Sequence, residues 1–153
     1  MGLKLNLGAG RRRLEGFLSV DSIAYPETDV VCDLLDRWPW DDGSVELIGM
    51  AHLLEHFTGR QRVFILNEMY RVLQPGGKVN IITPHWQSIH AYGDFTHQWP
   101  PVTIALYLYT LKSWRMANAE HLDISVNRTG YDCDFTSEYQ ETKNELSVVL
   151  TKI

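Results

Sequence analysis

The residues best suited to chemistry fall in three clusters. The first is Leu5-Asn6-Leu7-Gly8-Ala9-Gly10, an apolar run entering a Gly-x-Gly turn, followed by the acid Asp21 at the end of a second apolar run. Glycines let the backbone turn tightly and approach a ligand, and an acid ending the next strand can accept from a ribose diol. The second cluster is His52-Leu53-Leu54-Glu55-His56. The third is the stretch from Pro84 to Pro101, which holds His85 and His97 beside Asp94 and Thr96. Imidazole titrates near neutrality, so His97, His85 and His56 are candidates to orient or deprotonate an acceptor atom. Asp94 and Thr96 equally suit a local turn, with His97 bonded to backbone.

The glycine turn departs from the phosphate-binding form. That form wants a third small residue, G-x-G-x-x-G or G-x-G-x-x-A, where helix packs on strand, and Arg13 stands there. An adenosyl ligand without phosphates fits better than a dinucleotide.

Positioning these groups requires a parallel sheet. Strands are expected over 3–7, 17–21, 29–34, 45–50 and 79–83. Between the first three the links are too short for ordinary helices. Polar Lys4 and Asn6 alternate with leucines, and Ser19 and Asp21 with Leu18 and Val20. Strands buried on both faces read as continuous apolar runs, so this alternation predicts one thinly covered face. Thr58-Gly59-Arg60-Gln61 reads as a capping box, and the helix behind it carries Val63, Leu66, Tyr70 and Leu73 on one stripe. Gln74-Pro75-Gly76-Gly77 stops it. A helix is expected over 102–117, and two strands over 131–138 and 145–152 form a C-terminal hairpin. The fold class is thus α/β: a Rossmann-like, mostly parallel sheet with an antiparallel C-terminal hairpin and reduced helices between the first strands. Residues 1–153 are expected to form a single domain.

The formal net charge of −5 argues against general nucleic-acid binding, and Arg11-Arg12-Arg13 is too short a basic run to reverse that. The apolar run from Val102 to Leu111 falls far short of the roughly 20 residues a membrane span requires. The start of the chain reads as lacking a signal peptide. Cys32 and Cys133 have no C-x-x-C spacing and are expected to be reduced thiols of a cytoplasmic protein.

Taken in order, these pieces make the chain resemble a class I S-adenosylmethionine-dependent methyltransferase of the type 11-like group, small and truncated. The resemblance covers roughly residues 3–100. It rests on Leu5 to Gly10, Val20-Asp21, Cys32-Asp33-Leu34, Pro39 to Ile48, His52 to His56 and Met69 to Gly77. It implies S-adenosyl-L-methionine as cofactor, bound by Asn6, Gly8, Ala9, Gly10, Asp21, Asp33, Leu34 and His52. In that family the Gly-rich turn meets the methionine part, the first acid the ribose, and the second acid the adenine amine. Two departures stand out. Asn6 replaces the usual acid before the glycines, and the helix between the glycine turn and Asp21 is missing or reduced to a turn.

The leading function is methyl transfer to a small-molecule or carbohydrate-like acceptor, with His97, His85 and His56 as catalytic candidates. The alternative is a non-catalytic domain of this fold that holds a partner. A remote third is a zinc hydrolase using His52, Glu55 and His56, since H-x-x-E-H matches the inverted zinc-protease motif. No metal is expected under the leading function. Scant helix cover implies an exposed apolar sheet face, and with five tryptophans in so short a chain a C2 homodimer is expected to bury part of it.

Overall fold

The computed structural model describes residues 2–120 and 129–153. Seven strands form one sheet: β1 (Leu3–Leu7), β2 (Leu18–Asp21), β3 (Val30–Val31), β4 (Val45–Ala51), β5 (Leu73–Pro84), β6 (Phe135–Glu141) and β7 (Glu145–Lys152). Their order is β3-β2-β1-β4-β5-β7-β6. β1 to β5 pair in parallel, and β7 runs antiparallel to both β5 and β6. This is the expected α/β architecture with its antiparallel hairpin.

Register explains where the core sits. Val20, Leu7, Met50, Ile81 and Val148 form one row across the sheet, and Leu18, Leu5, Ile48, Val79 and Leu150 another. Nearly all of these side chains are fully buried. The helix α1 (Gly59–Val72) contributes Ile65, Leu66, Met69 and Val72 to the same core. Its start is fixed by Gln61 Oε1, which accepts from the Thr58 N–H at 2.8 Å. Near its end Arg71 donates to the Trp38 and Trp40 carbonyls at 3.1 and 2.8 Å and pairs with Glu68 at 2.7 Å. Glu68 in turn accepts from the Trp38 N–H at 2.9 Å. This network seats the long β3–β4 link, with buried Trp38, in the core.

The opposite face is mixed in polarity. Its rows read Ser19, Asn6, Gly49, Asn80, Val149 and Lys4, Leu47, Lys78, Thr151. Helices are indeed missing from the β1–β2 and β2–β3 links. Ser19 and Asn6 are nonetheless buried, and Phe17 lies over Gly49, whereas Lys78 and Asn80 are exposed.

Other boundaries differ for identifiable reasons. The third strand is two residues rather than six. The single helix expected over 102–117 is two, α2 (Ile104–Leu108) and α3 (Lys112–Asn118). Thr110 Oγ1 donates back to the Tyr107 carbonyl at 2.7 Å, and Asp134 Oδ1 accepts from the Lys112 N–H at 2.9 Å, which starts α3 afresh. The first hairpin strand begins at Phe135 rather than 131, because the Asp132 and Cys133 amides bond Asn67 on α1 instead of the sheet. β5 begins at Leu73, directly after α1, with the irregular Gln74 to Gly77 segment inside it. Both cysteines are free, Cys133 buried and Cys32 partly so. Among the described residues no helix is long and apolar enough to cross a membrane.

Candidate functional site

The predicted site residues collect at the carboxyl ends of the parallel strands, in two neighbouring parts. At β1 and β2, Gly8 and Gly10 take positive φ, 63° and 54°, as the tight turn demands. Ala9 N–H bonds the Val20 carbonyl at 3.1 Å, which holds the turn against β2. Asp21 accepts from the Gly10 N–H at 2.8 Å and the Ile23 N–H at 3.0 Å. Its carboxylate therefore fixes the turn, with lone pairs remaining for a ligand diol. Asn6 is buried, and its amide reaches the Arg12 carbonyl at 3.4 Å. Asp33 accepts from the Leu35 N–H at 2.9 Å in a local turn. Leu34 is buried, its carbonyl taken by Trp38 Nε1. These residues form a ledge that lies outside the acceptor-side cavity described next, which none of Asn6, Gly8, Asp21 and Asp33 lines.

The second part is a cavity of about 1100 Å³ beyond β4 and β5. His52, Glu55 and His56 come from the β4–α1 link, and Ile89, Asp94, Phe95 and His97 from the long loop after β5. Thr142, Asn144 and Glu145 come from the β6–β7 turn. The two parts touch. A Cβ on Gly8 would lie 2.5 Å from Leu53 Cδ2, so the glycine turn abuts the segment carrying Glu55 and His56.

His52 adopts φ 52°, a left-handed conformation that a side chain disfavours by about 1 kcal/mol. Its Nε2 lies 3.0 Å from Glu145 Oε1 and its Nδ1 3.7 Å from Glu55 Oε1. Of the predicted cofactor residues it alone lines the large cavity. Glu55 and His56 sit in a 3-10 turn, Leu54–His56, and not on an α-helix with His52, which removes the context a zinc-protease motif requires.

Glu55 is 5% exposed, and among the described residues neither carboxylate oxygen has a well-formed hydrogen bond. Burial pushes its carboxyl above the usual range, opposed by its own amide and by His56, His52 and His97. The His56 and His97 rings meet edge to face at 4.8 Å between centroids. Thr96 Oγ1 lies 2.9 Å from His56 Nδ1 and donates to Asp94 Oδ1 at 2.6 Å. Asp94 also accepts from the Thr96 N–H at 2.8 Å, and those two bonds hold its carboxyl below the usual carboxylate range. His97 Nδ1 faces the Ala91 carbonyl at 3.3 Å. The local turn anticipated around Asp94 and Thr96 is present, and it is what aims the two imidazoles. His85 does not line this cavity: it is 8% exposed, reaches Glu141 at 3.3 Å, and lines an adjoining cavity that shares Ile89, His90, Thr142 and Asn144 with it.

Sequence reasoning missed Arg62. It is 1% exposed, and its guanidinium serves four backbone carbonyls: Leu54 at 3.2 Å, Pro100 at 2.7 Å, Gln98 at 3.2 Å and Glu55 at 3.5 Å. It ties the Glu55–His56 turn to the loop bearing His97. The signal was present, because Arg62 lies three and four residues before the buried pair Ile65 and Leu66, on the helix's inner face.

Comparison with known proteins agrees with this geometry. Residues 14–81 match the family model described as a methyltransferase domain. The chain is similar to the ubiquinone/menaquinone biosynthesis C-methyltransferase of Psychromonas ingrahamii, 28% identical over 92 residues. That match takes in 58% of this chain and 34% of that protein, so the chain spans about a third of the relative's length. Among solved structures, a SAM-dependent methyltransferase from Archaeoglobus fulgidus aligns with TM-score 0.66 at 17% identity, covering 99% of this chain and 86% of that one. The 1,6-didemethyltoxoflavin-N1-methyltransferase of Burkholderia thailandensis, solved with its substrate and S-adenosylhomocysteine, aligns with TM-score 0.62 at 17% identity, covering 98% and 70%. By fold the chain is similar to S-adenosylmethionine-dependent methyltransferases, and residues 14–81 match a methyltransferase-domain model.

Proposed function

We propose that this chain transfers the methyl group of S-adenosylmethionine to a small-molecule acceptor, carbohydrate-like or otherwise hydroxylated, held in the 1100 Å³ cavity. The observation that supports this is the close approach of Gly8 to Leu53, which stands in the chain between cavity-lining His52 and Glu55. The sulfonium already makes the methyl electrophilic. The protein's task is then to align nucleophile, carbon and sulfur and to keep water away. Asp21 holds the ribose, Asp33 the adenine amine, and the glycine turn the methionine portion. Asn6 reinforces the turn through the Arg12 carbonyl. His56 and His97 line the cavity assigned here to the acceptor, and His85 lines the adjoining one. Ile89, Phe95, Tyr92 and Trp99 are all more than half exposed around the loop, a surface suited to the flat face of a ring or sugar.

Two unpaired cysteines accord with a cytoplasmic setting. A homodimer enters through exposed Leu108 and Met116 on the paired helices. Sedimentation showing only a 17.6 kDa species at micromolar concentration removes it.

The test is calorimetric titration with S-adenosylmethionine. Asp21→Ala should weaken binding by about 1.5–3 kcal/mol, the scale of hydrogen bonds to a charged acceptor, and Asp33→Ala by less. Unchanged affinity in Asp21→Ala, with circular dichroism intact, would mean the ribose site is misassigned. The ledge lying outside that cavity favours one second reading, a non-catalytic domain that holds a partner. A well-folded wild-type chain that binds no cofactor selects it.

A further inference from the structure

We infer that Glu55, His56 and His97 form a binding site for one divalent first-row transition cation at the floor of the acceptor cavity, where it would take a hydroxyl oxygen of the acceptor as a further ligand. One ligating atom from each of the three residues lies within 4.8 Å of the others.

The proton positions make this more than proximity. The Thr96 hydroxyl has one proton, and it goes to Asp94, which only accepts when ionised. Thr96 must therefore accept from His56 Nδ1–H, leaving the lone pair on His56 Nε2. The Ala91 carbonyl can only accept, so His97 is likewise protonated at Nδ1 with its lone pair on Nε2, and the Asp94 Oδ2 facing that nitrogen stands at 3.9 Å, beyond hydrogen-bond reach. Within 4.8 Å of both rings' ligating nitrogens lies a carboxylate oxygen of Glu55, nine-tenths buried, with both carboxylate oxygens lacking a well-formed donor among the described residues. Three acceptors converge, and neither imidazole hydrogen-bonds the carboxylate.

A cation satisfies all three at once. Imidazole and carboxylate together suit zinc and its first-row neighbours rather than magnesium or calcium. The chain Asp94–Thr96–His56 is the outer support that such ligands commonly have, fixing tautomer and ring orientation. At bond lengths near 2.1 Å, tetrahedral ligands stand about 3.4 Å apart, so the set contracts by roughly 1.4 Å on loading. His97, on the long loop after β5, is the member placed to move.

The inferred role of the cation rests on the methyltransferase reading; the site itself does not. A metal-bound hydroxyl is more acidic than a free one. Its proton leaves to water at the cavity mouth. The oxygen then forms a bond to the methyl carbon while the carbon–sulfur bond breaks, its electron pair passing to sulfur to give S-adenosylhomocysteine.

The experiment uses the full chain stripped with chelator and titrated with Co2+, followed by its visible d–d absorption and by calorimetry. One Co2+ per chain is expected, displaced by Zn2+ and not by Mg2+. Glu55→Gln and His97→Ala should each weaken Co2+ binding at least about 100-fold, since loss of an outer partner alone costs 10–100-fold. Thr96→Val should fall in that lesser range, and His90→Ala, in the same cavity but outside the cluster, should bind as wild type. Absence of saturable binding, or equal affinity in wild type, Glu55→Gln and His97→Ala, overturns the site. Cofactor titration of the Co2+-free protein separates the two ideas. Cofactor binding without Co2+ binding removes the metal site alone, and Co2+ binding without cofactor binding removes the methyltransferase reading alone.

Discussion

Arg62 offers the sharpest test of how the acceptor side is held together. Replacing it by Met keeps most of the side-chain volume and removes every donor. Three hydrogen bonds of 2.7–3.2 Å and one of 3.5 Å are lost. Bonds from a charged donor contribute about 1.5–3 kcal/mol each. Against that, the folded protein no longer desolvates a guanidinium, which relieves several kcal/mol. Two of the freed carbonyls, those of Gln98 and Pro100, lie on the loop after β5, where water can replace the lost donor. The balance is a net destabilisation of about 2–4 kcal/mol. In urea, with a slope of about 2 kcal/mol/M, the midpoint should fall by roughly 1–2 M, read by tryptophan fluorescence. Arg62→Lys retains the charge but not the fork, and should fall between. A midpoint that stays put or rises in Arg62→Met would show that desolvation outweighs the four contacts, and that Arg62 does not organise the site.

Two further perturbations have signs fixed by the structure. Gly8→Ala should destabilise by about 2–3 kcal/mol and Gly10→Ala by about 1, because both adopt positive φ but only Gly8 faces Leu53 at 2.5 Å; equal effects in thermal unfolding would deny the contact between the two parts of the site. Glu55→Gln should stabilise the metal-free protein at pH 7, since it removes a buried carboxylate that lacks a good donor. Glu55's carboxyl is raised in the fold, so its favourable protonated form is fully populated below about pH 4.5 and is lost as pH rises through the folded value. The advantage of Gln must therefore grow with pH above that point, and a constant difference across urea titrations at several pH values would contradict it.

What the sequence revealed was what the chain encodes locally. The glycine turn and Asp21 are joined by a bond spanning eleven residues, and the bare links follow directly from their length. The alternation of the two sheet faces was legible in Lys4 and Asn6, which leave Leu5 and Leu7 to the core. Tertiary partners stayed hidden. Nothing near Thr96 announces that it bonds His56, forty residues earlier, or that Glu145 of the hairpin reaches His52. The break between α2 and α3 depends on Asp134, which no local helix signal contains. Arg62 was passed over because a charge on an apolar stripe reads as solvated until the carbonyls it serves are seen.

The missing helices leave the cofactor half of the sheet fastened differently from the rest. β2 and β3 are clamped by carboxylates, Asp29 on the Ser19 amide at 2.8 Å and Asp21 on the amides of Gly10 and Ile23. Such fastenings release locally, whereas Ile48, Ile81 and Val148 share one buried core with Ile65, Leu66 and Met69 of α1 and let go only with the whole molecule. The edge can therefore unzip as a subunit of the fold while the acceptor wall stands. A ligand bridging Asp21 and Asp33 would splice that edge shut, so its arrival registers first as slowed amide exchange at Val30 and Val31 and only weakly in the melting of the core.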